Sequence, residues 1–123
     1  MKIFILEDNF ERIKLFEKWL IAHEFYVTDN VEVAKHAVEE FGPFDLYLID
    51  HDLDNRVFVN SDEENTGYQF AKFLAEKKIQ AKFVTHSLNV PGAINICGVL
   101  KGCQHISFLI IQEYLIKLIA GKK

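Results

Sequence analysis

Residues 49–55 read IDHDLDN, and an apolar run, DLYLI, leads straight into Asp50, His51 and Asp52. Two acids around an imidazole are the residue types of a metal site, of phosphate chemistry or of a phosphoacceptor. Two further clusters repeat the theme: Glu7-Asp8 after the run KIFIL, and His86-Ser87 after AKFVT. Imidazole exchanges a proton near neutral pH, so a histidine pair can take a proton from attacking water and return one to a departing oxygen. On that chemistry His51, His86 and Asp50 are the candidate catalytic residues. Carboxylates held together repel one another, and a divalent cation relieves that repulsion. Glu7, Asp8, Asp50 and Asp52 are therefore candidate ligands, for Mg²⁺ on oxygens alone and for Mn²⁺ or Zn²⁺ where a histidine joins them. Thr85, Ser87 and Asn89 offer donors to phosphate oxygens, Gly92 allows close approach of backbone, and Thr66-Gly67 opens a helix at the same rim. Helix capping and strand-end solvation explain each of these residues equally well. Extended backbone puts Asp50 and Asp52 on one side and His51 on the other, unless the chain turns after the strand.

The elements that must position these residues are legible as changes of period. Strands are expected at 2–6, 25–28, 44–49, 81–85 and 105–109. A helix over 10–22 shows Phe10, Ile13, Phe16, Leu20 and Ile21 on one face, with Asn9 as its cap. Asp29 or Asn30 caps the second helix, whose stripe is Val33, Ala34, Ala37, Val38 and Phe41, and Gly42-Pro43 stops it. Thr66-Gly67 opens the third, with Phe70, Ala71, Phe73 and Leu74 as its apolar positions. Pro91 starts the fourth, which Gly102 ends. The fifth ends near Ala120, with Leu109, Ile110, Tyr114, Leu115 and Leu118 facing inward and Lys122 and Lys123 at its negative end. Residues 53–66 form an acidic loop in which Val57-Phe58-Val59 is a candidate hairpin arm or cover and Arg56 a candidate phosphate contact. Five strand–helix units imply right-handed crossovers and a mainly parallel sheet. Sites in such α/β sheets form outside the carboxyl ends of the strands, where every polar cluster named above falls.

Bulk properties narrow the function classes. With 123 residues, half of them hydrophobic, a single domain over 1–123 is expected. A formal charge of −4 argues against a nucleic-acid backbone surface, and no duplex DNA binding is expected. No leader or membrane span is read, and Cys97 and Cys103 make neither a disulfide framework nor a metal knuckle, so the expected location is cytoplasmic. Gly-rich phosphate loops and a Gly-x-Ser-x-Gly elbow are missing.

The segments ILEDN, DLYLID and FVT resemble the acidic pair, phosphoacceptor strand and hydroxyl strand of a response-regulator receiver domain. The resemblance implies a doubly wound, five-stranded parallel sheet of order 2-1-3-4-5, with Asp50 as phosphoacceptor and Thr85 as the hydroxyl. Receivers carry a lysine at the end of the fifth strand, whereas HISFLIIQ has none there; Lys101 and Lys117 lie elsewhere in the pattern. A closer resemblance is to the cyclic-phosphate-processing receiver domains, carried by LIDHDLDN, TGYQFAKFL and THSLNVPG. It implies metal-assisted or histidine-dependent hydrolysis of a cyclic phosphate on a nucleotide, RNA end or related metabolite. The competing expectation is a non-enzymatic regulatory module that meets a protein partner through its fourth and fifth helices.

Overall fold

The structure, a computed structural model, describes residues 1–53 and 56–120. Strands β1 (Lys2–Leu6), β2 (Glu24–Thr28), β3 (Leu46–Ile49), β4 (Lys82–Thr85) and β5 (Gln104–His105) alternate with α1 (Phe10–Trp19), α2 (Val31–Phe41), α3 (Gly67–Glu76), α4 (Val90–Val99) and α5 (Ile111–Ala120). The strands form one parallel sheet in the expected order β2-β1-β3-β4-β5. The order places the carboxyl ends of β1, β3 and β4 side by side.

Short polar side chains start the helices. The Asn9, Asn30, Thr66 and Asn89 side chains each accept a hydrogen bond from the backbone N–H three residues on, opening α1, α2, α3 and α4. Asn30, not Asp29, is therefore the cap of α2. Pro91 sits in the first turn of α4, where its missing N–H costs nothing.

Two cores flank the sheet. Phe4, Leu6, Tyr47, Ile49 and Phe83 face α2, α3 and α4, and the Phe4 ring meets Tyr26, Phe44, Tyr47 and Phe70 at centroid distances of 5.1–5.5 Å. Ile3, Ile5, Leu46, Leu48 and Val84 face Phe16 and Leu20 of the α1 region and Ile111 and Leu115 of α5. The central strands β1, β3 and β4 thus alternate between two buried faces, as the inner strands of a parallel sheet require.

Several boundaries move. The first helix ends at Trp19, and Phe10 and Ile21 are exposed because they lie beyond the Phe16–Leu20 stripe that meets the sheet. On α2, Val31 replaces Val33 and Phe41, both exposed, in the buried stripe. The fifth strand is only Gln104–His105, ahead of the expected 105–109. Its continuation turns at Ser107, whose hydroxyl accepts from Leu109 N and whose carbonyl accepts from Ile110 N. Leu109 and Ile110 ride outward on that turn, and Ile111 and Leu115 fill the core in their place. Val57-Phe58-Val59 forms no strand: Val59 is buried as a cover while its two neighbours are exposed. Lys122 and Lys123 lie outside the described residues. Among the described residues no helix is long and apolar enough to cross a membrane.

Candidate functional site at the carboxyl rim

The two-residue period of the strands carries past their ends. Ile3 and Ile5, Leu46 and Leu48, and Val84 face the α1/α5 core, so Glu7, Asp50 and His86 continue on that side. Leu6 and Ile49 face the opposite core, and His51 follows on their side, where it meets α4. The rim is thereby divided by parity into two polar regions.

In the first region Glu7, Asp50 and His86 are almost completely buried. His86 Nε2 lies 2.6 Å from Glu7 Oε1, and Glu7 Oε2 accepts the N–H groups of Asp8 (3.1 Å) and Asn9 (3.0 Å). Asp50 Oδ1 accepts the N–H of His51 at 2.9 Å. Arg12 Nη1, from α1, stands 3.7 Å from Glu7 Oε1 and 3.8 Å from Asp50 Oδ2. Its guanidinium lies over the Phe108 ring. Thr85 Oγ1 and His86 Nδ1 are the buried side-chain atoms without a hydrogen-bond partner among the described residues.

The electrostatics follow from two carboxyl groups sharing one dry site. Burial works to raise the Glu7 pKa, but the hydrogen bond and charge of His86, the Asn9 N–H and Arg12 outweigh it and hold Glu7 below the usual carboxylate range. Asp50 goes the other way: burial, then the neighbouring Glu7 charge, push it up to about 7 against the pull of His86 and Arg12. One ligand atom from each of Glu7, Asp50 and His86 lies within 4.8 Å of the others, so the three residues can coordinate a divalent ion. Two carboxylates and an imidazole suit Mn²⁺ or Zn²⁺ better than the all-oxygen preference of Mg²⁺. A cavity of about 180 Å³ opens beside them, lined by Asp8, Arg12, Asp50, Asp52 and Ser87 among others.

The second region is built around the His51 ring, fully buried under α4. A Cβ on Gly92 would lie 2.4 Å from His51 Cγ, so only glycine leaves room for the ring there. His51 Nδ1 is 2.8 Å from Asp52 Oδ1, and Nε2 is 2.7 Å from Ser61 Oγ. Asp52 also accepts the N–H of Phe58 (2.5 Å) and Val59 (3.2 Å) and the side-chain amide of Asn89 (3.0 Å). Burial tends to raise the Asp52 pKa, yet these donors, His51 foremost, lower it below the usual value. Asn89 spends its amide hydrogens on Asp52 and the Val59 carbonyl and its oxygen on capping α4.

The expected site residues therefore separate. Glu7 and Asp50 come together with His86, and Asp8 lines the adjoining cavity. His51 and His86 lie on opposite sides of the sheet and do not converge. Asp52 touches both regions, bordering the cavity while bonding to the His51 ring. Thr85 is buried at the end of β4, Ser87 Oγ accepts the Asn89 N–H, and the Ser87 carbonyl accepts His105 Nε2. Thr66 caps α3 and donates to the Glu63 carbonyl, while Gly67 lets α3 begin against the end of β3: an added Cβ would sit 2.0 Å from the Asp50 carbonyl oxygen. Arg56 forks onto Glu63 at 3.0 Å. Arg12 and Ser61 were not foreseen. Arg12 sits one turn into a helix whose sequence reads as ordinary amphipathic surface, and Ser61 arrives from an aperiodic loop. Neither position carries a local signal.

Comparisons with known proteins fit this architecture. No curated protein matches the chain. Solved structures share the fold at low identity. The N-terminal domain of a response regulator/sensory box/GGDEF 3-domain protein from Carboxydothermus hydrogenoformans superposes with a TM-score of 0.72, 19% identity, and coverage of 98% of this chain and 91% of that one. A CheY-like receiver domain protein from Methanospirillum hungatei JF-1 gives 0.70, 16%, 98% and 91%. The Mn(2+)-bound form of response regulator Rcp1 gives 0.64, 17%, 92% and 87%. The model of the cyclic-phosphate processing receiver domain family matches residues 1–102, and the chain belongs to that family.

Proposed function

We propose that this chain is a receiver-like regulatory module that holds a divalent ion on Glu7, Asp50 and His86, with a phosphoryl group presented to Asp50. The observation that carries the reading is the convergence of three buried ligand atoms within 4.8 Å at the receiver's phosphoacceptor position. Arg12 supplies the cation that the fifth strand lacks, and Thr85, the hydroxyl position implied by the resemblance, has a buried Oγ1 with no partner among the described residues. With the ion bound, the metal's contribution is to neutralise charge on Asp50 and the phosphoryl oxygens. Arg12 orients Asp50, His86 orients Glu7, and the cavity beside Asp8 and Ser87 receives the ligand. The test is titration with Mn²⁺ and with beryllofluoride, followed by thermal shift. Metal-dependent stabilisation by beryllofluoride that disappears in Asp50→Asn supports the module; a metal response with no beryllofluoride effect removes the phosphoryl part.

A second reading is hydrolysis of a cyclic phosphate on a nucleotide or RNA end, with either His86 and Asp50 on one side of the sheet or His51 on the other as its catalytic residues. Ser87, Asn89, Gly92, Thr66 and Gly67 would then help to shape the binding site. It is favoured by the family match and by the ordered His51 ring. Turnover of 2′,3′-cyclic nucleotides with and without Mn²⁺ tests it, and no turnover, or activity unchanged from the native chain in both H51A and H86A, would eliminate it.

A further inference from the structure

The second region contains a hydroxyl–imidazole–carboxylate series of its own. Ser61 Oγ lies 2.7 Å from His51 Nε2, and His51 Nδ1 lies 2.8 Å from Asp52 Oδ1. Ionised Asp52 accepts only, so His51 Nδ1 is the donor to it and Nε2 is left to accept from Ser61. Asn95 Nδ2 donates to Ser61 Oγ at 2.9 Å, which leaves the hydroxyl hydrogen for the imidazole.

Each member is fixed from outside the series. The His51 ring is pinned by Gly92, Asp52 by the Phe58, Val59 and Asn89 donors, and the Ser61 carbonyl by Gln69 Nε2 at 2.7 Å. Ser61 is partly exposed and borders a cavity of about 540 Å³ shared with Asn60, Tyr68, Asn89, Gly92 and Asn95. A nucleophile, a base within hydrogen-bond reach and a group that orients the base form the general pattern of an activated hydroxyl.

We propose that Ser61 is a nucleophile activated by His51 and Asp52, acting on a singly charged cyclic phosphodiester; the choice of electrophile rests on the hydrolytic reading above. The cavity lining holds Asp62 and no cationic side chain among the described residues, which disfavours a doubly charged monoester. Ser61 Oγ bonds to phosphorus as its proton passes to His51 Nε2. The bond from phosphorus to one ring oxygen breaks, and that oxygen takes the proton from Nε2. The result is a seryl phosphodiester and a free hydroxyl on the ligand. Water then attacks phosphorus and gives a proton to Nε2, and the bond to Ser61 Oγ breaks as Oγ recovers that proton. The product is a phosphate monoester and the serine is restored. Asn95 Nδ2, donating to Ser61 Oγ, turns the hydroxyl hydrogen toward His51 and so positions the nucleophile.

The probe is a small fluorophosphonate, applied to the full chain and read by intact mass and peptide mapping. One adduct on Ser61 is expected, absent in Ser61→Ala and formed about a hundredfold more slowly in Asp52→Asn. Should Asp52→Asn fail to fold, Ser61→Cys replaces it: the introduced thiol is expected to alkylate with iodoacetamide faster than Cys97 and Cys103 in the same molecule. No adduct on Ser61, or an equal rate in folded Asp52→Asn, overturns the proposal, as does an introduced thiol no faster than Cys97. Cyclic-nucleotide turnover that survives in Ser61→Ala overturns the seryl step and leaves the hydrolytic reading standing. An Asp52-dependent Ser61 adduct without any such turnover upholds the activated serine and removes the assigned substrate.

Discussion

The two polar regions at the rim use similar residues to opposite ends. On the α1/α5 side, Glu7 and Asp50 crowd together in a dry site, and the excess charge is met by His86, Arg12 and a raised Asp50 pKa. On the α4 side, Asp52 is the carboxylate held against the His51 ring and is saturated by donors, so it stays ionised and orders His51. The first region is suited to attract a cation, the second to direct a hydroxyl. The difference arises from neighbours: a second buried acid in one case, backbone and amide N–H groups in the other.

The largest expected effect removes the separation from beneath. Gly67→Ala drives a methyl group into the Asp50 backbone, which neither region can yield, and should cost about 3 kcal/mol of stability in urea denaturation. Gly92→Ala, by contrast, pushes on the His51 ring alone. It should abolish the fluorophosphonate adduct while leaving Mn²⁺ affinity unchanged; loss of both would mean the regions are one site.

Charge at the first region gives the next effect. Glu7→Gln removes a ligand and should weaken Mn²⁺ binding by about tenfold or more, roughly 1.4 kcal/mol, by calorimetric titration. The pH dependence has a definite sign. Asp50 is raised from 3.8 to about 7, so the folded state keeps a proton that the unfolded chain releases. Its contribution is full below pH 4 and declines as pH rises through 7. Glu7, held low, contributes above its ordinary 4.5 and loses that contribution as pH falls toward 2. Asp50→Asn should flatten the decline between pH 4 and 7 in pH-resolved thermal melts; an unchanged slope would assign it elsewhere. The smallest change lies in α3: Thr66→Ala removes a cap and should cost about 1 kcal/mol by denaturant midpoint, with Mn²⁺ affinity retained.

Much of this was legible in periodicity. Apolar runs bounded by Asn, Thr, Gly and Pro mark the strands and helix starts, because capping and turn chemistry are local. The same runs deliver Glu7, Asp50 and His86 to one end of the sheet. Less legible were the exposed Phe10, Ile21, Leu109 and Ile110, whose hydrophobicity matches the periodic pattern although the chain turns them away from the core.

By itself the sequence determined that acids and histidines would end adjacent strands of a parallel α/β sheet, since strand length and alternation are written in neighbouring residues. Only the tertiary structure decided their partners. It turned His51 beneath Gly92, away from His86, and brought Arg12 to Asp50 and Ser61 to the imidazole. Those contacts join residues from different elements and loops, and their distances follow from packing across the whole rim, which no local spacing encodes.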